Sequence, residues 1–520
     1  MGGLRISGYA ALVVAAVGVA AAGATVSCDG PDPSPSPARA LGALCSQDAS
    51  CASGRCVEGV CCDRACDSGC EACNVVGATG TCLPTPGPDP DGSCGAGAVC
   101  SASAECVAGH RVSLMSASGG IDEITAATAG PAEDLMIGGR FTAELRFGAE
   151  PVLLGDPARA AAFVARLDAH RIPRWALSVG VGATVDALAR LDDVVFVAGT
   201  HSGEAPLFGL PRQAEGVDGF VAALDDGGVR WIWFFEGPGT QRIDRLAALA
   251  DGGVVVGARD QLEEQTTLSA AVVALDGRGV TRWSVPVSSP GNDRVGALAV
   301  ASDGAILVAG AINGPVTVGR ETLAHRGAED VVVLRLSPAG EVDRAWSFGG
   351  AGSDVGQAIV PGPDGDLFLA GFFTKGIDFG DGPMLSAGCE DVFLVRLDPE
   401  GRARFSRRYG DAEPQVVSGL AMTADGQLVA AGDFEGDLDV GWGPLVGRGE
   451  LDLWVASWTL DGVPTWATSF GGPDRERAHA FALTGDGIVV AGRAHGPLDF
   501  GDTTLVPVGA ADGFIAELSR

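Results

Sequence analysis

The chain reads as all-β, a seven-bladed β-propeller with a small disulfide-rich module before it. Three observations predict this: a repeat of about sixty residues from residue 111 onward, a composition rich in turn formers, and an incomplete unit at each end of the repeating part. The repeat is anchored by a glycine turn after a short strand. It recurs at Ser118-Gly119-Gly120, Ser178-Val179-Gly180, Phe235-Glu236-Gly237, Phe348-Gly349-Gly350, Tyr409-Gly410 and Phe470-Gly471-Gly472, with Ser289-Pro290-Gly291 as a degenerate copy. The 520 residues hold 79 Gly and 29 Pro against 20 Phe, 9 Trp and 2 Tyr, which suits many short strands joined by turns better than a helical bundle.

Within a unit the order is constant. A first strand such as Val355–Val360 is followed by an Asp-Gly pair, at 251–252, 303–304, 364–365, 425–426 and 486–487, a pairing that favours two-residue hairpins. A second strand ends at Gly139, Gly199, Gly257, Gly310, Gly371, Gly432 or Gly492, and glycine inside a strand signals a bulge or close backbone approach. The third strand is a short apolar run: Phe163–Leu167, Phe220–Leu224, Val331–Leu336, Val392–Leu397 or Phe514–Leu518. The fourth carries Trp175, Trp231, Trp283, Trp346, Phe405 or Trp466. A row of aromatics can stack on sugars, but a place in every repeat favours packing. The last unit stops after its third strand, at Arg520, while residues 111–120 form an isolated fourth strand and turn. The N-terminal strand is therefore expected to complete the last blade and close the ring.

The pattern Phe372-Phe-Thr-Lys-Gly-Ile-Asp378-Phe379-Gly380, then Glu390-Asp391-Val-Phe-Leu-Val-Arg-Leu-Asp398, then an aromatic-Gly-Gly turn, resembles the bacterial seven-bladed β-propeller repeat family; Leu498-Asp499-Phe500-Gly501 repeats it. The resemblance covers residues 111–520 and is weakest around 238–289. It implies a fold and no shared activity or catalytic residues.

Ahead of the propeller, assigned to residues 110–520, come three segments. Residues 1–27 read as a signal peptide: Arg5, an apolar run from Tyr9 to about Ala24, and two competing cleavage sites. One is Ala22-Gly23-Ala24. The other, Val26-Ser27-Cys28, resembles the bacterial lipoprotein motif, with Thr25 where a bulky apolar residue is usual, and implies lipidation of Cys28. Residues 28–40 are a Pro-alternating tether, extended at about 3.1 Å per residue. Residues 41–109 hold Cys45, Cys51, Cys56, Cys61, Cys62, Cys66, Cys70, Cys73, Cys82, Cys94, Cys100 and Cys106. Twelve cysteines in an exported segment predict disulfides of undetermined connectivity rather than zinc ligands. The phrase from Cys51 through Cys61-Cys62 to Cys66 resembles a Cys-rich module of exported proteins from high-GC Gram-negative bacteria, which implies localisation and no chemistry. Cys389 is left over.

The formal charge of −31 argues against nucleic acid and anionic membrane surfaces as direct partners, so membrane contact is expected through the lipid alone. No Gly-x-Ser-x-Gly, His-Glu-x-x-His or phosphate loop occurs. The loops entering each first strand carry Asp122, Asp244, Asp293, Asp354 and Asp474, a rim chemically suited to Ca2+ or a hydroxyl-rich ligand. The plainer account has each Asp closing its own turn. A second acid precedes the third strand at Asp218, Asp330, Asp391, Asp452 and Asp512, again explained by capping. The cluster Arg402, Arg404, Arg407 and Arg408 reads as a solvated edge. The expectation is a monomeric, non-enzymatic, exported surface lipoprotein without catalytic residues, metal or cofactor, whose propeller binds a surface polysaccharide or protein. The alternative is an exported propeller enzyme acting on polysaccharide or peptide at the channel mouth.

Overall fold

In the computed structural model, described in pieces between residues 51 and 115 and from 120 to 519 except 131–133, 148–150, 262–266, 486 and 502, nearly every regular element is a strand. The signal segment, Cys28, the tether and Cys45, Cys66, Cys70, Cys73 and Cys94 lie outside the described residues. Cys51 and Cys61 form a disulfide, with Cα atoms 5.3 Å apart. Cys56, Cys62 and Cys82 are disulfide-bonded too. Asp63 Oδ1 accepts the Cys82 N–H at 3.0 Å, a contact between positions nineteen residues apart. Cys100 and Cys106 face each other across a short strand pair. Cys389 is free and exposed.

From residue 123 onward the chain forms four-stranded antiparallel sheets in which strands pair in chain order. The 354–409 sheet is representative, with Asp354–Pro361, Leu367–Phe373, Asp391–Leu397 and Ala403–Tyr409. The 123–181, 294–348 and 415–470 sheets repeat it, and 187–235 and 240–286 are two such halves joined by a single parallel pairing of Val217 with Thr240. The sheet at the C-terminal end takes three strands from 476–519 and its fourth, Arg111–Met115, from the other end of the repeat region.

Most of the repeated glycines share one physical cause. Each of the 123–181, 294–348, 354–409, 415–470 and 476–519 sheets has a bulge in its first strand opposite the glycine. The bulge pushes a first-strand carbonyl into the place a side chain would occupy. A Cβ at Gly371 would lie 1.9 Å from the Val355 carbonyl oxygen, and one at Gly432 2.0 Å from that of Val416. The Asp-Gly turns differ from expectation: Leu249 pairs with Gly253 and Ala301 with Ala305, so the loops have three residues and not two. Gly252 and Gly304 take φ of +88° and +81° there, and the preceding Asp accepts the N–H two residues on.

Packing between sheets builds the core. Apolar side chains of each sheet interleave with those of the next: Val295, Ile306 and Val332 with Val255 and Val272, and Val417, Leu428 and Trp454 with Phe368 and Val392. The series does not stop at the last sheet. Ile124, Ile137 and Phe163 of the 123–181 sheet share one buried cluster with Ala480, Val489 and Ile515.

Candidate functional site

The acids singled out from sequence sit where one sheet meets the next. Asp354, fully buried, accepts the Gly350 N–H at 2.8 Å. Asp293 accepts from the Ser289 N–H and hydroxyl and from the Asn313 N–H at 3.0 Å, and Asp122 accepts the Thr142 N–H at 2.7 Å. Asp293 and Asp354 close their own turns, as the plainer reading held, whereas the bond of Asp122 reaches twenty residues along the chain to Thr142. Asp244 and Asp474 do not belong to the series. Asp244 lies within the strand Thr240–Ala248 and pairs with Arg259, and Asp474 is exposed. The positions equivalent to Asp354 are Gln241, Gln415 and Glu476, all buried. Glu476 accepts the Gly472 N–H at 3.0 Å, and Gln415 Oε1 accepts the Asp411 N–H at 3.3 Å, the same four-residue step. A search for Asp alone misses them, because what the turn needs is a side-chain acceptor, which Gln and Glu also supply.

The second set of acids is built likewise. Asp330, Asp391, Asp452 and Asp512 are buried and accept the backbone N–H four residues earlier, from Arg326, Ala387, Arg448 and Val508. Asp218, also buried, instead has Arg212 at 3.6 Å.

The two sets meet. Parallel bridges join Ile121 to Ala511, Glu329 to Ser353 and Leu451 to Arg475, which sets Asp122 beside Asp512, Asp354 beside Asp330, and Glu476 beside Asp452. Each pair spans two sheets. One oxygen of every member is buried and lacks a hydrogen-bond partner among the described residues. Burial pushes Asp354 up to about 7, with the charge of Asp330 adding to it. Burial and then Asp452 push Glu476 up to about 7, and burial, with Asp512 among the lesser causes, pushes Asp122 up to about 6. Two adjoining carboxylates away from water cannot both be charged cheaply, so each pair favours one retained proton. At the 354–409/415–470 junction the partner of Asp391 is the amide of Gln415, and Arg408 Nη1 reaches Asp391 Oδ2 at 2.9 Å.

The fourth-strand aromatics are committed to packing. Trp283 lies against Gly340 and Trp346 against Gly401, turn residues of the next sheet with φ near +80°. Their indole N–H groups donate to the Pro338 and Glu400 carbonyls at 3.0 and 3.1 Å. Trp231 does the same with Gly279 and the Gly277 carbonyl, at 3.0 Å. Two members of the arginine cluster are also engaged, contrary to a solvated edge: Arg404 Nε pairs with buried Asp366 at 2.7 Å, and Arg408 with Asp391. Among the described residues, no group of three or more His, Cys, Asp or Glu is arranged to hold a metal ion.

No known protein-family model matches the chain. A curated relative, the regulatory protein FlaEY of Caulobacter vibrioides, is 23% identical over 199 residues, which is 36% of this chain and 20% of that protein. The chain thus spans about a fifth of that relative's length. Solved structures similar to it include the Pan2 WD40 domain of Neurospora crassa, at 11% identity and a TM-score of 0.40 over 76% of this chain and 89% of that one. Sqt1 of Chaetomium thermophilum is similar at 13% identity and a TM-score of 0.40, over 79% and 100% respectively. YCF48 bound to a D1 peptide follows at 9% identity and 0.37, over 79% and 95%.

Proposed function

We propose that this chain is an exported surface protein, held by lipid on Cys28 and lifted by its Pro-rich tether and disulfide module, whose sheets form a closed seven-bladed propeller used for binding or scaffolding. The observation that carries the reading is the use the fold makes of its repeated chemistry. Buried acids close turns and join sheets, and aromatics pack on glycine turns, so the residues that recur serve the framework. What differs from sheet to sheet is the residue content of the loop between second and third strands, whose form largely recurs. It is a hairpin at 144–154, 316–323, 376–385, 437–446 and 498–505, and the short turn Leu207–Leu210 in the 187–235 half. A rigid ring carrying variable loops suits recognition. Packing of the last sheet on the first, with Arg111–Met115 as its outer strand, supports closure of the ring. Binding of Ca2+ at Asp122, Asp293 or Asp354 would have to compete with the backbone donors these acids already accept.

The test is intact mass spectrometry of native protein from membranes, with and without reduction. A diacyl or triacyl adduct on a chain beginning at Cys28, with a gain of twelve hydrogens on reduction, is the expected result. A soluble chain beginning at Thr25 would remove the anchor from the reading.

A further inference from the structure

Where the first and last sheets meet, the chain gathers positive charge against its overall sign. Arg477 and Arg493 are directly opposite each other on neighbouring antiparallel strands, an arrangement in which like charges repel. Across the junction, Arg140 stands opposite Glu123 on the first two strands of the 123–181 sheet. Glu123 is the meeting point: Arg140 Nε lies 2.8 Å from one of its oxygens, and Arg493 Nη1 3.1 Å and His479 Nε2 3.8 Å from the other. One carboxylate therefore pairs with two guanidinium groups and lies close to an imidazole, while the third arginine stands beside them. Arg477 makes no ion pair or side-chain hydrogen bond among the described residues. The other nearby acid, Asp433, is pushed up to about 7 by burial, while its Oδ1 accepts the Ala478 N–H at 2.6 Å. It adds little negative charge in mildly acidic solution.

Donors also remain unused. Arg493 Nε and His479 Nε2 are buried and have no hydrogen-bond partner among the described residues, a state that costs free energy unless something accepts from them. The site is nevertheless reachable, because Arg140 keeps 40% and His479 28% of its side-chain surface exposed. Burial, with all three arginines opposing protonation, holds His479 down to about 4, so near neutrality it offers a ring nitrogen and not a charge.

We propose that Arg140, Arg477 and Arg493, with His479, form a site for a compact anionic group, a sulfate, phosphate or carboxylate borne by a larger ligand. Planar guanidinium donors match the paired oxygens of such groups, and the two arginine charges that Glu123 leaves uncompensated provide the attraction. Glu123 orients the arginines, as a carboxylate behind a cationic pocket does. The assignment depends on the junction between the two sheets and not on export or the lipid anchor.

The experiment is titration calorimetry of the full chain with sodium sulfate, sodium phosphate and sodium galacturonate, at constant ionic strength held with chloride. Saturable binding of one anion per chain is expected, weakened about tenfold or more in Arg477→Gln and Arg493→Gln and unchanged in the exposed control Arg344→Gln. Preference for sulfate or phosphate assigns an oxyanion ligand, and preference for galacturonate assigns a carboxylate. Binding of none of the three, or equal binding by wild type and Arg477→Gln, overturns the site. Arg477 holds no contact the fold depends on, so that variant decides the matter even where Arg493→Gln fails to fold.

Discussion

The junction between the 294–348 and 354–409 sheets and the junction between the first and last sheets do the same job with different chemistry. The first uses Trp346, laid on Gly401 and hydrogen-bonded to the Glu400 carbonyl. At the second, Arg171 occupies the turn position that glycine holds elsewhere, at φ +63°, and its guanidinium reaches across to Glu517, with 3% of its side chain exposed. Glu123, Arg493 and Arg140 add a second ionic contact at the same seam. Consecutive sheets are delivered to each other by a short connecting loop, so non-directional packing is enough to hold them. Segments 346 residues apart must find one another and one register, and ion pairs supply that discrimination at the cost of desolvation. What the two kinds of junction share is the carboxyl pair, Asp330 with Asp354 in one and Asp122 with Asp512 in the other.

That shared element gives the largest expected effect. Asp122, Asp354 and Glu476 have folded-state values above their ordinary ones, so the unfolded chain loses their protons first as pH rises. Their contribution is complete below about pH 4 and disappears as pH rises through about 6 to 7, for a combined loss of several kcal/mol in order of magnitude. Urea midpoints at pH 5 and pH 8 check this: stability should be lower at pH 8, with the difference shrinking in Asp354→Asn and Glu476→Gln. Equal slopes in wild type and variants would mean that the pairs hold no proton.

Breaking the seam between the first and last sheets comes next. Glu517→Gln removes the carboxylate that the buried Arg171 guanidinium reaches across the seam and should cost about 3–5 kcal/mol in urea unfolding. A loss under about 1 kcal/mol would show that the packing of these two sheets does not rely on this pair. Trp346→Ala, which removes a half-buried ring and one hydrogen bond at an internal junction, should cost about 2–3 kcal/mol. The smallest effect separates the two chemistries. Raising salt from 0.05 to 0.5 M shortens the screening length from about 14 to about 4 Å, and should change the penalty of Glu517→Gln by a few tenths of a kcal/mol while leaving that of Trp346→Ala unmoved. Identical salt responses would erase the distinction between the seams.

Much of this architecture was legible beforehand because its causes are local. A glycine facing a bulged carbonyl, an aromatic that must meet a turn glycine, and an apolar third strand each leave a mark in most repeats, as Gly371, Trp346 and Val392–Leu397 do. The candidate site was only half legible. Asp122, Asp293 and Asp354 were found by residue type, while Gln241, Gln415 and Glu476 were hidden behind equivalent acceptor chemistry. Asp244 and Asp474 fell a few residues out of register, since counting from a turn does not locate a strand's first residue.

The sequence by itself determined the strands, the positions of their turns and the period, because these follow from residue volume, φ preference and hydrophobic alternation over a few neighbouring positions. Only the tertiary structure decided which carboxyls share a boundary, that Arg171 replaces glycine to reach Glu517, and that Arg140 joins Arg477 and Arg493 around Glu123. Those pairings join residues hundreds of positions apart, where charge and burial depend on which surfaces the folded sheets bring together.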